Sequence, residues 1–98
     1  MKNHVNIAVQ VLPKSKIKGT YELVDDAIKV IHDSGLKYRV CPFETVIEGP
    51  YDEIMNVVER LQQECFNSGA DELLVYLKIQ NRKNEKVTIE DKMAKYDK

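Results

Sequence analysis

A carboxylate, a hydroxyl and two aromatic rings fall in one short stretch, residues 38–49, as Glu48, Thr45, Tyr38 and Phe43. A carboxylate in a half-buried cleft suits an aminopyrimidine. It accepts from the exocyclic amine and shares a proton with the adjacent ring nitrogen. The Thr45 hydroxyl adds a donor or acceptor, and Tyr38 and Phe43 offer flat faces on which a ring stacks. Gln10, on the polar face of the first strand, completes the candidate ligand contacts. The same residue types also have plain structural uses. Glu48 then caps a helix or faces water, and Tyr38 belongs to the core.

Catalysis needs more than this. A nucleophile requires a base and an orienting group within hydrogen-bond reach. The only imidazoles are His4, near the N-terminus, and His32, near the end of a helix, where a surface role is the simpler reading. The glycines are isolated at element ends, so there is no glycine-rich phosphate loop. Asp, Glu and His residues are in no metal-ligand spacing, and Cys41 and Cys65 are far apart, which reads as two reduced thiols. Glu44 and Glu48 share the stretch, but nothing forces them together as an acid–base pair. Neither a metal nor a cofactor is expected, and the chain reads as a non-enzyme.

The elements that must position these residues follow from periodicity. Residues 3–12 alternate as a strand, with Val5, Ile7, Val9 and Val11 on one face and His4, Asn6, Ala8 and Gln10 on the other. Pro13 is expected to end it, and a basic loop follows over residues 14–19. Thr20 reads as the cap of a helix running to about Ser34, its buried stripe Val24, Ala27, Ile28 and Ile31. Gly35 supplies the left-handed stop. Residues 38–49 read as two short strands joined at 42–44, and Gly49-Pro50 closes the second. Pro50 opens a second helix with the stripe Ile54, Val57, Val58, Leu61 and Cys65. Residues 72–80 form the last strand. Thr88 to Asp91 resembles a capping box, with a short helix over roughly 89–96. That helix is too short to stand alone, so it docks on its own sheet or on a neighbouring subunit.

The order β-α-β-β-α-β predicts an α+β, ferredoxin-like sandwich: a four-stranded antiparallel sheet, two helices on one face, and a short C-terminal helix. Ninety-eight residues make one domain, residues 1–98. A formal net charge of −1, with scattered lysines, argues against nucleic-acid binding. No apolar run approaches a membrane span or the core of a signal peptide, so a cytoplasmic, membrane-free protein is expected. The helix-free face would carry Leu12, Leu74, Tyr76 and Ile47. An apolar patch of that kind argues for self-association.

Several segments together resemble the small thiamine-binding-protein family. They are Leu12-Pro13, the run from Ser34 to Tyr38, Pro42-Phe43 with Thr45-Val46-Ile47-Glu48-Gly49, Lys78-Ile79 with Arg82-Lys83, and Thr88 to Lys92. The resemblance covers nearly the whole chain, and Thr45 to Gly49 after Pro42 is its most specific part. It implies a ferredoxin-like fold, dimers that pair into tetramers, and binding of thiamine or its hydroxymethylpyrimidine moiety without catalysis. It also implies that Thr45 and Glu48 contact the ligand while Pro13 and Gly49 shape the site. Glu44 stands where the family usually has a small residue, so its carboxylate either crowds the pocket or favours a cationic ligand such as the thiazolium of thiamine. The loop Lys14-Ser15-Lys16 could receive a phosphate, so a thiamine phosphate ester stays open. The alternative function is a regulatory or structural interaction module that oligomerises through the sheet face and the C-terminal helix.

Overall fold

Strand β1, His4–Lys14, is the central member of the sheet, and its alternation decides what the two faces are for. Val5, Ile7 and Val9 point to one side and are fully buried, whereas Ala8 and Gln10 on the other side are only half-buried. The computed structural model describes residues 1–97. The remaining strands are β2 (Lys37–Val40), β3 (Thr45–Pro50) and β4 (Glu72–Gln80), in the spatial order β2-β3-β1-β4 with every pairing antiparallel. Helices α1 (Thr20–Asp33) and α2 (Tyr51–Asn67) cover the Val5–Ile7–Val9 face, giving the ferredoxin-like α+β arrangement. A third, five-residue helix α3 (Ile89–Met93) lies near the C-terminus. No helix is long and apolar enough to cross a membrane among the described residues.

Helix α2 buries the expected stripe of Ile54, Val57, Val58, Leu61 and Cys65. Burial raises the Cys65 thiol above its ordinary pKa, and Asp26 and Glu64 add to this. Both cysteines are free thiols. Gly35, with φ 77°, supplies the left-handed stop after α1.

Four local expectations are corrected. β1 does not end at Pro13. It runs on to Lys14, because β4 continues to pair with it at Leu12↔Leu74, Pro13↔Leu73 and Lys14↔Glu72. The β1–β3 register stops at Val9↔Thr45, so the proline sits where β1 has a partner on one flank only. Thr20 is the first helical residue rather than the cap; Gly19 holds the cap position without a side-chain bond. Pro50 likewise closes β3 and precedes α2, extended at φ −62° and ψ 135°. Ile47 is not on the helix-free face. Its Cα partners are Ile7 and Tyr38, and it is fully buried under the helices.

The stripe of α1 also differs. Leu23, Ala27 and Ile31 are the buried residues, whereas Val24 and Ile28 are half-buried. Tyr21, Val24 and Ile28 recur at i, i+3 and i+7, so they form a second row beside the core-facing one. That row has its own cleft.

Candidate functional site

The cleft lies between α1, the C-terminal half of β1 and the connection from β2 to β3, and encloses about 340 Å³. It exists because β1 outruns β3: beyond Val9 the sheet has a step, and α1 bridges it. Val9, Val24, Ile28 and Val40 give it aliphatic walls. Thr45 is buried on its floor. Its Cα partners are Val9 and Val40, so the hydroxyl shares their helix-facing side of the sheet. Phe43 lines the opposite rim and is 82% exposed, and Tyr21 enters from the first turn of α1 at 86% exposure. Two large rings are thus left in water at the mouth of an apolar cleft. Gln10 is at the edge where β1 passes beyond β3.

Thr45 and Phe43 therefore meet at one cleft, and Tyr21 joins them; Gln10 borders it along the strand, but its register opposite Tyr76 turns its side chain to the helix-free face, away from Thr45. Glu48 and Tyr38 are not among its lining residues. The cradle expected of Glu48 beside an aromatic wall is not formed, because Glu48 follows Thr45 by three positions on one strand. Its Cα partners are Asn6 and Lys37, on the helix-free face. Tyr38 donates to or accepts from His32 Nδ1 at 2.8 Å, and the two rings meet edge-on at 5.9 Å. Glu44 carries its carboxylate to the helix-free face, 3.3 Å from Lys78 Nζ. In the basic loop, Lys14 pairs with Glu72 and Lys18 with Asp26, while Ser15 Oγ accepts from the N–H groups of Ile17 and Lys18. Sequence reasoning missed Tyr21. Its signal is the row it forms with Val24 and Ile28, two residues that the sequence pattern alone assigns to the core stripe.

Glu48 belongs to a second assembly. Its Oε1 accepts from the Ile89 N–H at 2.7 Å, and its Oε2 lies 2.8 Å from His4 Nε2. Burial alone would raise this carboxyl group. The bonds from Ile89 and His4 and the charge of Lys37 outweigh it and hold the group below the ordinary glutamate range. Beside it Asn6 Nδ2 donates to the Val87 carbonyl at 2.9 Å, and the Val87 N–H donates to the His4 carbonyl at 3.1 Å. Residues 87–97 thus form a strap across one end of the helix-free face. Thr88 caps α3 by accepting from the Asp91 N–H at 3.1 Å. Arg39 grips Asp97 with both terminal nitrogens, at 2.7 and 2.9 Å.

Comparison with known proteins agrees with this architecture. A solved domain of unknown function from Bacillus cereus superposes with a TM-score of 0.92 at 41% identity, covering 98% of this chain and 92% of that one. A Thermotoga maritima protein, provisionally assigned to thiamine biosynthesis or salvage, gives 0.84 at 33% identity over 95% and 98% of the two chains. A UPF0045 protein of Clostridium perfringens is 35% identical over 93% of this chain and 95% of its own length. The family model for thiamine-binding proteins matches residues 7–97. On these matches, and on the fold they share, this chain belongs to the thiamine-binding protein family.

Proposed function

We propose that this protein binds thiamine, or its hydroxymethylpyrimidine part, without transforming it, in the cleft between α1 and the β2–β3 connection. The observation that carries this reading is the pairing of Phe43 and Tyr21, two exposed rings, across an aliphatic cleft whose floor holds the Thr45 hydroxyl. Thiamine combines a flat aminopyrimidine with a permanently cationic thiazolium. The aromatic faces attract the cation, and the aliphatic walls bury the rings. The Thr45 hydroxyl meets a polar edge of the pyrimidine. Glu48 and Tyr38 act outside the cleft. The first holds the C-terminal strap, and the second steadies β2 through His32.

Titration calorimetry with thiamine, hydroxymethylpyrimidine and thiamine phosphate tests the reading and separates its ligands. Saturable heat with at least one of them, reduced in the T45V and F43A variants, is the expected result. No heat at millimolar ligand contradicts it.

A second reading rests on another surface. Leu12, Leu74 and Tyr76 are 41%, 49% and 53% exposed on the part of the helix-free face that the strap leaves open. They favour a homo-oligomer joined there. Sedimentation of the wild type and of Leu74→Glu tests it: a wild-type oligomer that the charge dissociates is expected, and a wild-type monomer contradicts it.

A further inference from the structure

The strap is held as a bound peptide is held. Its fixed points are backbone groups, the N–H and C=O of Val87 and the N–H of Ile89, which bond to the His4 carbonyl, the Asn6 amide and the Glu48 carboxylate. Its apolar anchors, Val87 and Ile89, are two residues apart and buried. Main-chain bonds with alternate side chains in pockets are the recognition mode of an extended peptide on a sheet. Both are buried, yet neither anchor belongs to the core cluster that the helices and sheet enclose.

Three features limit what holds the strap in its seat. Residues 81–86, which connect β4 to the strap, are all exposed, and the Asn3 amide holds the first two of them by donating to Asn81 Oδ1 and the Arg82 carbonyl. A groove of about 500 Å³, lined by Lys37, Arg39, Ile89 and Asp97, lies between the strap and β2 and is crossed by the Arg39–Asp97 pair. Asn6 Oδ1 is buried beneath the strap with no hydrogen-bond partner among the described residues, so closure leaves one acceptor unmet.

We propose that residues 87–97 are exchangeable, and that two copies of this chain trade them. The occupant that fits the seat on Asn6, Glu48 and Arg39 is the same segment of a second copy. An exchanged strap would remake every contact of the closed one, including the Arg39–Asp97 pair, so concentration and the strain in the connector decide the balance. Six residues extend to about 20 Å, enough to span two sheets whose β4 ends approach. This inference does not depend on the cleft binding thiamine.

Cross-linking in the full chain tests it, on a Cys41→Ser background so that the half-buried native thiol does not react; Cys65 is buried. K37C and E90C, on opposite sides of the same groove and leaving the Arg39–Asp97 pair intact, are made separately, incubated together at rising protein concentration, then treated with a short bismaleimide. Exchange predicts covalent K37C–E90C heterodimers whose yield climbs with concentration and time. The doubly substituted chain at high dilution serves as the reference for intact docking and should cross-link within itself. If it does so while the mixture gives no more dimer than either variant alone, exchange is overturned. If the doubly substituted chain fails to close on itself, the docking and the proposal both fall.

Discussion

The Ile89 N–H donates to the Glu48 carboxylate at 2.7 Å, joining the start of the last helix to the middle of the sheet. The same carboxylate meets His4 through its other oxygen, so both of its oxygens are engaged on the side of β3 away from the helices. Thr45, on the same strand, faces the helices and the cleft. One strand thus serves two assemblies through its two faces, and substitutions on each should have separable consequences.

Glu48→Gln is expected to loosen the strap and leave thiamine binding unchanged. Losing the charge from a buried hydrogen-bonded carboxylate costs about 1–3 kcal/mol. The cost should appear as faster hydrogen exchange at the Ile89 amide and a lower denaturation midpoint. A thiamine affinity that falls sharply while the strap amides stay protected would return Glu48 to the ligand site.

The same carboxylate sets a pH dependence. Its pKa is depressed in the folded chain. Its contribution to stability is therefore fully present above the ordinary glutamate value of about 4.3 and is lost as pH falls through the lower folded value. Strap protection followed from pH 6 downward, values chosen to lie roughly either side of that point, should decay in this acid window. In the E48Q variant this component should be absent. An identical acid profile in both proteins would assign the loss to other groups.

In the cleft, Thr45→Val removes a hydroxyl and keeps the shape. A single lost hydrogen bond of about 1.4 kcal/mol is a tenfold weaker Kd, the expected size of the effect on thiamine. Phe43→Ala should weaken binding by a similar factor with little change in melting temperature, since the ring is 82% exposed. A large drop in stability with unchanged affinity would make Phe43 a packing residue instead.

Gly49 is constrained by both conformation and space. Its φ is 157°, and an added Cβ would come within 3.2 Å of Leu36 Cδ2. Gly49→Ala should destabilise the domain by about 1 kcal/mol or more, because the native conformation is unsuited to a side chain. Chemical denaturation measures this directly, and wild-type stability would show that β3 adjusts without strain.

Much of this was legible in residue order. The β-α-β-β-α-β succession, the α2 stripe and the span of β4 follow from periods of two and 3.6, and the Thr88 cap from its spacing to Asp91. What escaped is relational. Whether β1 stops at Pro13 depends on β4 continuing beside it, which no local pattern encodes. Thr45 and Glu48 look like neighbours in sequence, yet three positions along a strand reverse the face. Tyr21, Val24 and Ile28 could be separated from the core row only after β1 and β3 were known to leave a step for α1 to bridge. The strap partners of Glu48, Asn6 and Arg39 arrive from the far end of the chain, and only the fold brings them there.

The central claim is the place of the ligand, and an amide-resolved NMR titration of the full chain with thiamine tests it most directly. Saturable shifts should concentrate at residues 20–28 and 41–45, with the Glu48 and Ile89 amides nearly still. Shifts centred on Asn6, Glu48 and residues 87–92, or none at millimolar thiamine, would contradict the cleft between α1 and the β2–β3 connection as the binding site.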